Sequence, residues 1–121
     1  MAPQLSRSVT DIGDVHLVSL HGELDISSAV GLLDWLLEIS DTTLIIDLSG
    51  VSFMDSSGIR VMVQAKNKMG DALVLTRPQR NVRLVFEVSG LDDWLTDWDP
   101  GWSPVTTTYG TEPPGGPPAG D

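Results

Sequence analysis

The stretch "TLIIDLSGVSFMDSSGIRVMVQA", residues 43–65, decides the fold. It opens with "TLIIDL" (43–48), a short run rich in β-branched and apolar residues with no polar alternation. Such a run reads as a strand covered on both faces. The stretch closes on residues with helical spacing. From Ser56 or Ser57 to Met69 the pattern predicts a helix with Ile59, Met62, Val63 and Met69 inward and Arg60, Gln64 and Asn67 toward water. Gly70-Asp71 ends it. Between strand and helix stands "DSSG" (55–58), two hydroxyls and a carboxylate in succession. A strand feeding a helix through a short polar loop is the unit from which α/β sheets are built.

Upstream, apolar and polar residues alternate from Leu5 to Val9, as in a half-buried strand. Gly13-Asp14 marks a tight hairpin turn. Val15, Leu17 and Leu20 then carry a second strand that stops at Gly22. Residues 26–40 read as one largely buried helix, with Gly31, Asp34, Glu38 and Asp41 as a narrow polar stripe and Leu32, Leu33, Leu36, Leu37 and Ile39 filling the rest. Asp25, Ser27 or Ser28 supplies its N-cap. Trp35 lies at the edge of that stripe, which predicts partial exposure.

Downstream, "ALVLT" (72–76) reads as the next strand. Pro78 falls in the first turn of a third helix, with Val82, Val85 and Phe86 inward and Arg80, Arg83 and Glu87 outward. Gly90 is its left-handed cap, and Leu91 packs back. "DDWLTDWD" predicts a last short strand. The expected fold is a small mixed α/β sheet of four to five strands, with an N-terminal hairpin and three to four helices. Six of the eight prolines lie from Pro100 onward, where apolar periodicity ends. Residues 1–99 are therefore expected to form one domain and 100–121 a disordered Pro/Gly-rich tail. Trp94, Trp98 and Trp102 stand near that junction.

Composition excludes several classes of function. The chain has 121 residues and no cysteine, so disulfides, thiolate metal sites and Cys nucleophiles are out. Two histidines, His16 and His21, do not make a His-rich metal site, and no cofactor is expected. A net charge of −10 argues against nucleic acid. No apolar run approaches the roughly 18–20 residues of a membrane span, and "MAPQLSRSVTD" lacks the layout of a signal peptide. A cytoplasmic monomer is expected. Charge is unevenly placed: residues 1–55 hold nine acids and one base, residues 56–91 six bases and two acids, and residues 92–121 six acids. Solvated helix faces account for this, as does a polarised surface that orients a partner.

Enzyme signatures are missing. "MDSSG" is not a G-x-S-x-G elbow, and the two histidines sit in or beside the second strand. There is neither a P-loop nor a G-x-G-x-x-G turn. Asp47 in "IIDLSG" lacks the acidic pair and late lysine that a receiver domain requires. No catalytic residue is assigned. The residues of "DSSG" leave two readings open. One is a helix cap, which needs a single side chain from Asp55, Ser56 or Ser57 and contributes roughly 0.5–2 kcal/mol. The other is a phosphoacceptor at the mouth of the turn, where a helix N-terminus accommodates roughly −1.5 to −2 added charges. In both, Gly58 allows close approach to the backbone of the first turn.

Three blocks together resemble the STAS domain, and within it the anti-anti-sigma factor (anti-sigma-factor antagonist) family. They are "LHGELDISSA" (20–29), "LIIDLSGVSFMDSSGIRVMVQA" (44–65) and "LVLTRPQRNVRLVFEVSGLDDWL" (73–95), in uninterrupted order over residues 5–98. The resemblance implies Ser56 as the phosphorylated serine. It implies a partner-binding surface of Asp25, Asp55, Ser56, Ser57, Gly58 and Arg60, with Asp25 beside Ser56 because both loops leave one end of the sheet. It further implies an anti-sigma factor that is a serine kinase as partner, released by phosphorylation, and a serine phosphatase that restores binding. Two alternatives stay open: a non-switching STAS adaptor for a scaffold or transporter protein, and a small-ligand sensor using an Asp25–Asp55 cleft.

Overall fold

A two-residue turn at Gly13-Asp14 joins the first two strands, β1 (Leu5–Ile12) and β2 (Val15–Leu24), with Ile12 opposite Val15. This is a computed structural model, and it describes residues 5–96. The expected tail and its boundary at residue 99, with Trp98 and Trp102, lie outside the described residues. After β2 come helices α1 (Ile26–Ala29) and α2 (Leu32–Glu38), strand β3 (Thr43–Met54), helix α3 (Ser56–Met69), strand β4 (Leu73–Thr76), helix α4 (Arg80–Val88) and strand β5 (Leu95–Thr96). Short 3-10 turns precede β4 and β5. The sheet order is β1-β2-β3-β4-β5, antiparallel between β1 and β2 and parallel thereafter. This is the mixed sheet with a leading hairpin that the sequence predicts.

Each parallel strand lies beside its predecessor, always in the same direction. Right-handed crossovers then place the connecting helices on one face. Register aligns a row on that face across all five strands: Val9, Val18, Ile46, Leu75 and Leu95. Against it pack Leu32 and Leu36 of α2, Val61, Met62 and Ala65 of α3, and Val82 and Phe86 of α4, in one contiguous core. Trp35 is half-buried, with the Arg7 guanidinium 4.7 Å from its ring centroid. That cation–π contact ties α2 to β1.

Several elements depart from the sequence reading. The single helix expected over 26–40 is two helices, broken where Val30 is extended and Gly31 adopts φ +83°. A β-branched residue followed by glycine is a weak helical joint, and the break lets α2 aim Leu32 and Leu36 at the core while α1 buries none of its residues. The inward stripe of α3 is Gly58, Val61, Met62 and Ala65, whereas Val63, Ile59 and Met69 are only half-buried. Small residues at 58 and 65 seat this helix close to the sheet. Pro78 precedes α4 rather than entering its first turn, since Gln79 is the N-cap. The C-terminus of α4 is as expected. Gly90 has φ +76°, its N–H reaches the Glu87 carbonyl (3.0 Å), and the Leu91 N–H reaches that of Phe86 (2.8 Å). This is a Schellman motif.

Strands β2 and β3 run further than expected, through Gly22 to Leu24 and through Leu48 to Met54, with pairing irregularities at Ser19/His21 and Gly22/Glu23. Gly50 sits at the first irregularity, where a Cβ would come within 2.6 Å of the Leu20 carbonyl oxygen, so nothing larger fits. Because β4 pairs only with residues 44–47, the later half of β3 presents a free edge on that side. The start of α4 blunts it: the Gln79 side-chain amide donates to the Ser49 carbonyl (2.9 Å) and that of Asn81 to the Ser52 carbonyl (2.8 Å).

Candidate functional site

The extension of β2 and β3 builds the site. Their last residues, Leu24 and Met54, are partners in register, and the Asp55 N–H continues the ladder to the Leu24 carbonyl at 3.3 Å. Asp25 and Asp55 are thus the first residues past two adjacent strand ends. Both take nearly the same extended backbone, φ −123° and −118° respectively, and both are helix N-caps. The Asp25 carboxylate accepts from the N–H groups of Ser27 (3.0 Å) and Ser28 (3.1 Å), while the Asp25 N–H donates to the Ser28 hydroxyl oxygen (2.9 Å). This closes a reciprocal capping box. The Asp55 carboxylate accepts from the Ser57 N–H at 2.8 Å.

These caps resolve what "DSSG" left open locally. Asp55 does the capping, so neither serine is needed for it. Ser56 is the first residue of α3 and is exposed, and among the described residues its hydroxyl has no partner. Ser57 is half-buried, its N–H committed to Asp55. Arg60 is exposed one turn along α3 from Ser56, the i,i+4 spacing at which helical side chains meet. Gly58, expected on the binding surface, lies beneath it. A Cβ there would be 2.7 Å from Met54 Cγ and 2.8 Å from Leu24 Cγ, so this glycine sets how closely α3 seats on the strand ends.

Exposed apolar side chains stand on the same segments of chain. Ile26, the first residue of α1, is 73% exposed, and Val30 at the α1–α2 joint is 79% exposed. Phe53, paired with Glu23 just before the strand ends, is 44% exposed. Sequence reasoning passed over all three. Ile26 and Val30 stand eight and four residues before Asp34, on the line of the polar stripe, so the periodicity already placed them on the wet side. Phe53 carries no such signal, because β3 was expected to end earlier. Among the described residues, no group of three or more His, Cys, Asp or Glu side chains is placed to hold a metal ion. No helix there is long and apolar enough to cross a membrane.

The family model of the STAS domain matches residues 6–110. An anti-sigma F factor antagonist of Lysinibacillus sphaericus is 37% identical over 59 residues, 46% of this chain and 50% of that protein. The chain thus spans half the length of this curated relative. Among solved structures, an anti-sigma factor antagonist from Mycobacterium paratuberculosis superposes with a TM-score of 0.69 and 26% identity, covering 80% of this chain and 88% of that one. The anti-sigma factor antagonist SpoIIAA superposes in its unphosphorylated form with a TM-score of 0.68 (24% identity, 78% and 90% covered). Its phosphorylated form gives 0.59 (23% identity, 78% and 93% covered). With the five-stranded sheet, the one-sided helices and the paired loop caps in place, and the match running through nearly all of the described residues, this chain belongs to the STAS domain family.

Proposed function

We propose that this protein is an anti-sigma-factor antagonist in the cytoplasm, binding an anti-sigma serine kinase as a monomer until Ser56 is phosphorylated. The observation that carries this reading is the division of labour at the loop. Asp55 caps α3, which leaves the Ser56 hydroxyl exposed and free of any structural task. Around it, Ile26, Val30 and Phe53 offer the apolar area that a protein partner desolvates, and Asp25, Asp55 and Arg60 the polar groups that set its orientation. In the transfer, the Ser56 hydroxyl oxygen attacks the γ-phosphorus of ATP, ADP leaves, and the hydroxyl proton is lost. The phosphate sits at the N-terminus of a 14-residue helix with Arg60 one turn away, so the fold tolerates it. It also stands among the carboxylates of Asp25 and Asp55. A partner seated there would have to desolvate three neighbouring negative groups, which favours release. A serine phosphatase resets the state.

The names of the relatives support the role, and the antagonist SpoIIAA, known in both phosphorylation states, supports the switch. The test is incubation with ATP and each candidate anti-sigma kinase of the host, followed by intact mass and peptide mapping. One phosphate on the Ser56 peptide is expected, lost in Ser56→Ala and kept in Ser57→Ala. Ser56→Ala should hold the kinase constitutively and Ser56→Asp should lose it. A Ser56→Asp protein that keeps its partner would point instead to a non-switching adaptor.

A further inference from the structure

Two flanks of the helix layer carry exposed aliphatic side chains, and the charges beside them are opposite in sign. On α4, Arg80, Leu84 and Val88 follow at i,i+4 spacing and so share one helix face, with Arg77 three residues ahead of them. Leu84 is 55% and Val88 80% exposed, and Arg77 and Arg80 are exposed as well. On α1 and α2 the corresponding series is Ile26, Val30, Asp34 and Glu38, all exposed. The joint at Gly31 bends this series without burying it. No Lys or Arg occurs between Arg7 and Arg60, whereas residues 77–88 hold three Arg against one acid, Glu87. Among the described residues, Asp34, Glu38, Arg80 and Arg83 have no ion-pair partner. Within one chain the two series do not meet, because α3 lies between α2 and α4 in the helix layer.

We propose that the two series form one self-complementary interface, the α1–α2 flank of one copy lying antiparallel against α4 of a second copy. Both segments follow strands of the same direction, so both start at the same end of the sheet. Read from that end, α1–α2 is apolar and then acidic, whereas α4 is basic and then apolar. Antiparallel apposition therefore sets Ile26 and Val30 against Val88 and Leu84, and Asp34 and Glu38 against Arg80 and Arg77. Arginine is the base that interfaces favour, and every base of this flank is arginine. Each copy offers one flank of each kind, so the contact is head-to-tail and propagates instead of closing as a two-fold dimer. Its size bounds its strength. A few side chains per copy fall well short of the roughly 20–30 residues a side of a standard interface, and a net charge of −10 repels copies at long range. At about 0.15 M salt that repulsion is screened beyond about 8 Å, while groups in contact still pair. The association is thus weak and concentration-dependent. It goes beyond the function proposed above, in which the kinase meets the monomer. Ile26 and Val30 serve both surfaces, so an assembled copy has that side of its Ser56 loop covered.

The experiment is sedimentation of the full chain from about 10 µM to about 1 mM in about 0.15 M salt, the range in which weak contacts of this size form. The average mass is expected to rise with concentration and to pass that of a dimer. Asp34→Arg and Arg80→Asp each set like charges against each other, so either variant alone should stay monomeric. An equimolar mixture of the two should associate again, because the reversed α2 flank of one variant meets the reversed α4 of the other. Val88→Ser should raise the concentration needed for assembly about tenfold through lost apolar burial. All three substituted side chains are exposed, so each variant keeps its fold. No kinase enters this test, so its outcome is separate from that of the phosphorylation assay. A parent chain that stays monomeric throughout overturns the proposal, as does growth that stops at a dimer. Association that survives Asp34→Arg or Val88→Ser at full strength, or a mixture of the charge variants that stays monomeric, overturns it equally.

Discussion

Gly58→Ala tests how the start of α3 is seated on the strand ends, and its magnitude follows from the packing. The added Cβ would stand 2.7 Å from Met54 Cγ, 2.8 Å from Leu24 Cγ and 3.0 Å from Leu24 Cδ2. Carbon atoms prefer about 3.5–4.0 Å. Leu24 and Met54 are buried, and two of the crowded atoms are Cγ atoms close to their own backbones, so neither side chain can simply swing away. Overpacking of this kind costs about 1–3 kcal/mol. Alanine in a helix offsets up to about 1 kcal/mol relative to glycine. The expected net is a destabilisation of about 0.5–2 kcal/mol, or a melting temperature lower by several degrees for a domain this size. Urea unfolding at fixed pH measures it, with the slope unchanged if only packing is altered. Because the strain lies in the first turn of α3, two residues from Ser56, affinity for the kinase partner proposed above should fall together with stability. Equal or higher stability would refute the reasoning, since α3 would then be free to move off the strand ends.

Asp55→Ala should cost about 0.5–2 kcal/mol through loss of the α3 cap, whereas Ser56→Ala should stay within about 0.5 kcal/mol of the parent; comparable losses in both would place the cap on the serine. The His16 ring is ion-paired with Asp11 (2.5 Å) and Asp41 (3.2 Å). Partial burial pushes its pKa down, but bonds to the two carboxylates outweigh it and the net shift is upward. Stability from this pair is therefore fully present below about pH 6.5, the ordinary value, and is lost as pH rises through the higher folded value. An NMR titration should find the His16 midpoint lowered by Asp41→Asn, and an unchanged midpoint would sever the link. Gln79→Ala with Asn81→Ala should speed amide exchange of the later half of β3 relative to its β4-paired half, with the free edge no longer capped; unchanged exchange would show that the edge is shielded otherwise.

Much of this architecture was legible in the residues because it rests on local rules. "TLIIDL" is apolar at consecutive positions, short and rich in β-branched residues, which reads as a strand buried on both faces, and Ile45 is buried opposite to Leu44 and Ile46. Gly13-Asp14 closed the hairpin, Gly90 capped α4, and helical spacing located α3 and α4. A cap at each helix start was legible as one of three neighbouring side chains, Asp25, Ser27 or Ser28 and Asp55, Ser56 or Ser57, and the structure selects the aspartates. Misreadings arose where long-range contact overrides local preference. Helix α1–α2 breaks at Gly31 so that Leu32 and Leu36 reach the core, and α3 faces the sheet with Gly58, Val61, Met62 and Ala65 while Ile59, Val63 and Met69 stay half-buried, because the small residues at 58 and 65 set how closely the helix approaches.

The division has a physical basis. Periodicity and capping involve residues within one turn or one strand of each other, so composition along the chain determined the elements, their order and the exposed serine at a helix start. What brings Asp25 beside Asp55 is the register of β2 on β3, with Leu24 opposite Met54. That register depends on bulges and on a close approach at Gly50 between residues thirty apart in sequence. The same pairing buries Gly58 and leaves Ile26, Val30 and Phe53 in water. Local sequence supplied the exposed serine at the start of α3, and tertiary contact alone brought the two strand ends together beside it.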